Sequence, residues 1–410
     1  MKENRITPKD VTCYVFAAIA LIEMALAACT DTQDIVAERN PQETVPAEGS
    51  IVFRALPAQT RTTDIDANNL SSFRIGILEE GDTPTVDSLF TYASPFNVVK
   101  NNSAWNYAPP VYWPEDEGKK LSFYAYAPAG SVNLDYFASK PAAEGTDSAI
   151  ISYTVPTNSI GTKKAEDFLI AKKSQTEAEG RTVQLDFLHA LSMARFAAEN
   201  QSSSLSFVIN SIELLNLYNQ GRLDLSPVSD TADVYWTPAG RNEQTYMPAL
   251  PPGGLSLAPG SGLTGLTSAN EDLPVLPQVV ALQDNGRAFD LSQPALRVVY
   301  STVSSDGKTV ADHDTALFSF PGTFPKGQTR GKPSYPQTDG QFVFQMGRRY
   351  TFNFAFTPGE QILFDLGNVP GWDDSPTEKP QTSEVHNGIW DANDLRAFKD
   401  SVEKGSWNYW

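Results

Sequence analysis

From Ile51 onward, apolar and polar positions alternate in short runs separated by turn-forming clusters. Phe73, Ile75 and Ile77 alternate with Arg74 and Gly76, and Leu121, Phe123 and Ala125 with Ser122, Tyr124 and Tyr126. Val183, Leu185 and Phe187 alternate with Gln184 and Asp186, and Ile212 and Leu214 flank Glu213. Further on, Tyr350, Phe352, Phe354 and Phe356 alternate with Thr351, Asn353 and Ala355, and Ile362, Phe364 and Leu366 with Leu363 and Asp365. A period of two places alternate side chains on one face of an extended chain, so each run predicts a strand. The connections are rich in Pro, Gly, Asn and Ser; the longest, residues 251–270, predicts a loop. Many short strands joined by turns predict an all-β chain of sandwiches. Residues 51–374 exceed one ordinary sandwich. The expectation is therefore two in tandem, an N-terminal one over 51–188 and a C-terminal one over 189–374.

The two ends follow other patterns. Lys2, Arg5 and Lys9 precede an apolar run from Val11 to Ala28 that ends Leu26-Ala-Ala-Cys29. A charged segment, an apolar core and small residues before the cut predict a secretory signal over residues 1–28. A Cys directly after the cut resembles the lipobox of bacterial lipoproteins. Cys29 is then the lipid-anchor residue, and two or three acyl chains on it anchor stably. A transmembrane helix is the competing reading, but Glu23 lies inside the run, which is costly at mid-membrane. Residues 29–50 are polar and acidic and predict a flexible tether. At the other end, residues 375–388 are a Pro/Ser/Thr/Glu linker. After it, Asp391 suits an N-cap, Leu395, Phe398 and Val402 share one helical face, and Gly405 follows the last turn.

Composition narrows the chemistry. The 410 residues hold 27 Gly and 29 Pro, which disfavours long helices. Lys and Arg number 31 against 49 Asp and Glu, a net charge of −18, with no basic stripe for a nucleic acid. Cys13 and Cys29 are the two cysteines, so no thiol chemistry or disulfide is expected in the folded body. His189, His313 and His386 have no metal-ligand spacing. Neither a metal nor a cofactor is expected.

Three fragments imitate catalytic motifs. Gly260-Ser-Gly-Leu-Thr-Gly265 matches GxGxxG, but Pro251, Pro252 and Pro259 precede it where a strand is required. Glu115-Asp116-Glu117 crowds three acids into a turn, whereas a glycosidase needs two carboxylates across a cleft. Asp312-His313-Asp314 reads as a turn before a strand. The expectation is that the protein is not an enzyme. Asn69, Asn101 and Asn200 open N-x-[ST] triplets that are read as incidental. Asp87, Asp147, Asp230, Asp314 and Asp400 precede Ser or Thr and an apolar residue, as in an O-glycosylation triplet.

Several blocks now form one order. Trp105-x-Tyr107 leads to Tyr112-Trp-Pro114 and Leu121-Ser-Phe-Tyr-Ala-Tyr-Ala-Pro128. Asp167-Phe-Leu-Ile-Ala171, Val183-x-Leu-x-Phe-x-His-Ala-Leu-Ser192 and Ser211-Ile-Glu-Leu214 follow. Val275-Leu-Pro-Gln278, Gly347-x-x-Tyr350 and Val369-x-x-Trp372 complete the series. In this order the chain resembles the bacterial fimbrillins, lipoprotein precursors of surface fimbriae; Met346 departs from the Trp expected before Gly347.

The resemblance implies two transthyretin-like sandwiches and a place at the outer membrane surface and in fimbriae. It also implies assembly by strand donation. A protease cuts after an Arg, an N-terminal strand leaves, and a strand from another fimbrial subunit fills the groove by β-augmentation. Ile51-Val-Phe-Arg-Ala-Leu56, apolar on both faces, is the expected removable strand. Arg54 and Arg61 are the candidate processing sites, with Arg61 preferred for its polar surroundings. Implied partners are other fimbrial subunits, the outer membrane through the lipid, and a host or bacterial surface receptor. The C-terminal helix is expected to dock or stay mobile rather than serve as donor, which suits an anchor, tip or accessory subunit. The alternative is a monomeric cell-surface glycan-binding lipoprotein, with aromatics near Trp105 or Tyr112 stacking on sugar rings. For Trp105, Tyr112, Trp113, Tyr124 and Tyr126 packing is the plainer expectation, and for His189 a satisfied core position.

Overall fold

The computed structural model describes residues 47–57, 70–80, 90–139, 148–157, 166–226, 236–239, 243–266, 272–281, 292–320, 341–358 and 362–366. Cys29, Arg61, Val369–Trp372 and the C-terminal tail lie outside them. Within them the chain is all-β, as its periodicity predicts.

The first half contains β1 (Val52–Pro57), β2 (Ser72–Glu79), β3 (Ala93–Asn101), β4 (Ala104–Asn106), β5 (Lys120–Ala127), β6 (Leu134–Ser139), β7 (Ala149–Thr154), β8 (Leu169–Thr176) and β9 (Thr182–His189). Next come β10 (Ser192–Asn200), β11 (Leu205–Tyr218), β12 (Gln220–Asp224), β13 (Thr237–Pro238), β14 (Glu243–Tyr246), β15 (Leu255–Leu257) and β16 (Thr264–Gly265). The last group is β17 (Leu273–Val275), β18 (Gln278–Ala281), β19 (Ala295–Ser304), β20 (Thr309–Phe318), β21 (Gln341–Phe344), β22 (Arg349–Phe356) and β23 (Ile362–Leu366). Residues 251–270, expected as a loop, carry the short strands β15 and β16. Both are edge additions, to β11 and β10 respectively.

The strands form a seven-stranded sheet in the order β1-β9-β8-β5-β2-β3-β4 and a four-stranded sheet β13-β12-β7-β6. Two further sheets follow the paths β16-β10-β22-β23 and β14-β11-β19-β20, and β18 pairs with β21. The four-stranded sheet joins strands from both sides of residue 189. β12 pairs with β7 from Gln220 opposite Thr154 to Asp224 opposite Ile150. Among the described residues, β1–β9 and β10–β22 are the parallel pairs; the others are antiparallel.

The middle of the seven-stranded sheet is covered on both faces. In β5, Leu121, Phe123 and Ala125 enter one core and Tyr124 and Tyr126 the other, so an unbroken apolar run replaces the usual alternation. The first core also holds Phe73, Ile75, Val183, Leu185 and Phe187. β1 and β4, the two ends of the sheet, meet across it, so the sheet curls around that core. The second core runs from Tyr126, Tyr153 and Phe168 to Phe196, Phe207 and Phe352. There Phe207 and Tyr300 of one C-terminal sheet lie 4.7 and 5.4 Å from Phe356 of the other, as expected of face-to-face sheets.

Packing leaves no room at Gly76. A Cβ added there would meet the buried Phe90 ring at 2.5 Å, and that ring is itself wedged 4.9 Å from Phe137. Gly76→Ala should therefore cost about 1–3 kcal/mol by overpacking, read as a lower urea midpoint at unchanged slope.

A buried ion cluster links neighbouring strands of one C-terminal sheet. Arg195 of β10 donates Nε and a terminal nitrogen to the two carboxylate oxygens of Asp272, at 2.8 and 2.7 Å. Arg349 of β22 brings Nε within 2.9 Å of the same carboxylate. Asp272 and Arg349 are buried.

Candidate functional site

β1 is an end strand of the seven-stranded sheet, and its two faces are unlike. Ile51 and Phe53 are buried and Ala55 half-buried, whereas Val52, Arg54 and Leu56 point outward. The strand is apolar on both faces, as expected, but only one of them is buried: alternation turns Ile51 and Phe53 into the core and leaves Val52 and Leu56 outside.

Two different walls hold the strand. One is β9, parallel and in register from Val52 opposite Thr182 to Pro57 opposite Phe187. The other is the segment after β4. Ile51 N–H donates to the Val111 carbonyl at 2.8 Å, and Ser50 bridges Tyr112 in antiparallel sense. The Tyr107 hydroxyl lies 2.6 Å from the Ile51 carbonyl, to which it donates, and 3.3 Å from the Val111 carbonyl.

Between the walls, Phe53 fills an aromatic pocket. Its ring lies 5.3 Å from Tyr107, 6.1 Å from Phe73, 6.1 Å from Phe123 and 6.3 Å from Phe96. Edge-on and tilted rings at these separations add to plain area burial. Burial pushes the Tyr107 phenol above its ordinary value of 10.0, so it stays a neutral donor throughout the range in which the protein is charged normally. By linkage, this raised value favours the folded state below pH 10, and the contribution fades as the pH climbs through the folded value.

Arg54, a candidate processing residue, is exposed on β1, but its main chain lies in the ladder opposite Gln184. A protease that needs an extended, unpaired backbone meets it only when β1 has left the sheet. The aromatic set divides as packing predicts. Trp105, Trp113, Tyr124 and Tyr126 are buried, and Tyr112 alone among them is exposed, at 48%. Trp105 packs 5.1 Å from Phe73, with the Lys100 ammonium over its ring, so it presents no sugar platform.

The other singled-out residues serve structure. His189 is buried, and its Nδ1 lies 2.7 Å from Asp167 Oδ1. Asp116 accepts from Gly118 N–H in a turn, as the acid triplet suggested. Asp312-His313-Asp314 is not a turn before a strand but lies within β20. The turn falls earlier, where Gly307 adopts φ +79 and donates to Ser304. His313 itself has φ +55 beside an irregular register between β19 and β20. Gly260-to-Gly265 runs from a turn into the short strand β16, with no strand directly before it among the described residues to make a phosphate loop. Asn200 is buried and donates to three carbonyls, those of Leu205, Leu257 and Ala258.

Tyr107 and the 107–112 wall carry no readable signal of their role. The sequence shows an aromatic after Trp105, but a hydroxyl that finds a main-chain carbonyl 56 residues away is a product of the closed sheet.

Comparison with known proteins adds five findings. The model of a family described as fimbrillin-like matches residues 60–372. No curated protein matches. A solved candidate cell adhesion protein of Bacteroides ovatus is 15% identical, covering 79% of this chain and 97% of its own, with TM-score 0.41. One from Bacteroides uniformis is 13% identical over 80% of this chain and 100% of its own (TM-score 0.40), and the C-terminally truncated tip fimbrial protein Mfa3 of Porphyromonas gingivalis is 9% identical over 74% and 94% (TM-score 0.35).

Proposed function

From the premise that this chain belongs to the fimbrillin-like family, we propose that it is a surface-anchored fimbrial subunit or fimbrium-associated adhesin that assembles by strand donation. Family membership supports a fimbrial or adhesive, structural role at the cell surface. The finer reading rests on one observation: an apolar strand, β1, lies at the end of a sheet over an aromatic groove, parallel to its neighbour. Backbone ladder bonds supply affinity in such a slot, and alternate side chains supply register. Arg61 follows β1 in the sequence, so a cut there severs the strand from β2 without cutting the ladder. The reading keeps residues 51–188 and 189–374 as the two sandwich domains, with β6 and β7 of the first completing a sheet with β12 and β13 of the second.

The test is limited digestion of the mature chain with an Arg-specific protease. The first new N-terminus should be Thr62, and Arg61→Ala should delay β1 release even though Arg54 is exposed, because Arg54 becomes cleavable only after opening. First cleavage within residues 251–266, or equal rates at Arg54 and Arg61, would count against the processing mechanism.

Anchoring is the second part of the reading. Cys29→Ser should move the protein out of the detergent-soluble membrane fraction and abolish incorporation of labelled palmitate. Unchanged membrane partitioning would overturn the lipid anchor. Receptor binding through a glycan is the weaker alternative, since the exposed ring at Tyr112 is the one left by burial of the others.

A further inference from the structure

The slot for β1 is asymmetric, and the asymmetry assigns a task to one side chain. Along β9 the strand is held by main-chain pairing, which any extended peptide can make. On the opposite wall, both polar groups of Ile51 are captured at the strand's start: N–H by the Val111 carbonyl, C=O by the Tyr107 hydroxyl. The same Tyr107 ring stands 5.3 Å from Phe53 and 5.0 Å from Phe96. One residue thus contacts the occupant's backbone at one position and its aromatic side chain two residues later.

We propose that Tyr107 is a retention latch for whichever strand occupies this slot, and that it selects a strand from a neighbouring fimbrial subunit carrying an apolar residue at the Ile51 position and an aromatic one at the Phe53 position. The occupant's chemistry is read from β1, which is seated there now: Ile51 fully buried, Phe53 within four rings, Ala55 half-buried. The parallel ladder begins only at Val52, so before it the strand is held by burial of the Ile51 side chain and by polar contacts from the opposite wall, not by pairing with β9. The phenol closes that end. This inference rests on the strand-donation reading above and concerns how the slot holds its guest, not whether it exchanges one.

The experiment follows release of a fluorescent peptide spanning residues 48–57 from the full mature chain after cleavage at Arg61 and displacement of β1. Tyr107→Phe keeps the ring and removes the hydroxyl. Release should be faster by about 3- to 10-fold, the span of one neutral hydrogen bond, with the association rate unchanged. A peptide with a thioamide at the Ile51–Val52 bond, a poorer acceptor, should be released faster from the wild-type chain, and Tyr107→Phe should then add little. That coupling separates a direct bond from a general loosening of the fold. A Phe53→Leu peptide should be released faster than the native one from either chain.

Equal release from wild type and Tyr107→Phe, or additive effects of the variant and the thioamide, would overturn the latch while leaving strand exchange standing. A cleaved wild-type chain that neither gives up β1 nor takes up the peptide would overturn strand donation, and the latch with it.

Discussion

Truncating Phe53 to alanine should release β1 from the seven-stranded sheet. Phe53 is 3% exposed and lies against the rings of Phe73, Phe96, Tyr107 and Phe123. Removing a buried aromatic of this kind costs about 3–5 kcal/mol, part of it the cavity left behind. The loss falls on one end strand, so it should appear first as local opening rather than as global unfolding. The opening equilibrium of β1 should rise by about 100-fold or more, given the stated cost. Amide protons of residues 52–56 should lose their exchange protection, and Arg54 should become cleavable at a rate approaching that at Arg61. The remainder of the same core, in which Phe123, Leu185 and Phe187 are buried, still holds the other strands. Val52→Ala is the control: the same strand, the outward face, and an effect within about 0.5 kcal/mol for a surface site. If Phe53→Ala leaves exchange at residues 52–56 unchanged, the aromatic pocket is not what holds β1.

Asp272→Ala should destabilise the sheet built on β10 and β22 as strongly, by a different route. The carboxylate faces Arg195 with two bonds and Arg349 at 2.9 Å, and the Arg349 side chain is 3% exposed. Removing one partner of a buried ion group leaves charge without compensation and costs about 3–5 kcal/mol. Two guanidinium groups would then face one another across the parallel β10–β22 ladder, where Met193 lies opposite Arg349 and Arg195 opposite Thr351. The same reasoning makes the converse a sharper test. Replacing all three together, Arg195→Met, Asp272→Leu and Arg349→Met, should recover most of the loss, because a buried ion cluster offers little net stability over a well-packed apolar one. Denaturant titration of the single and triple variants measures both. A triple variant no better than Asp272→Ala would mean that the charges direct the fold rather than merely balance one another.

These two sites mark how far the primary structure is legible. The strands of β9 and β22 are plain in the residue pattern, since Val183, Leu185 and Phe187, and Tyr350, Phe352 and Phe354, recur at a period of two and all become buried. Turn chemistry is equally local, as at Asp116-Glu-Gly118. The tract 251–270 misled because Pro and Gly there mask two short edge strands whose partners lie in β10 and β11. Asp312-His313-Asp314 misled because polar residues on an exposed strand resemble a turn; Ser-Ser-Asp-Gly at 304–307 supplies the reversal instead.

By itself, then, the sequence determined the all-β class, most strand positions, the inward-facing set in each alternating strand, the absence of thiols after Cys29 and the family resemblance that membership bears out. Each of these depends on neighbours a few residues apart. Tertiary structure alone decided that β1 runs parallel to β9, that β12 pairs with β7 across the middle of the chain, that Asp272 gathers Arg195 and Arg349, and that the Tyr107 hydroxyl finds the Ile51 carbonyl. Alternation says which face of a strand is apolar and is silent on which strand lies beside it. Partner, direction and register come from how whole faces complement one another once the sheets close, and that is a property of contacts many residues apart.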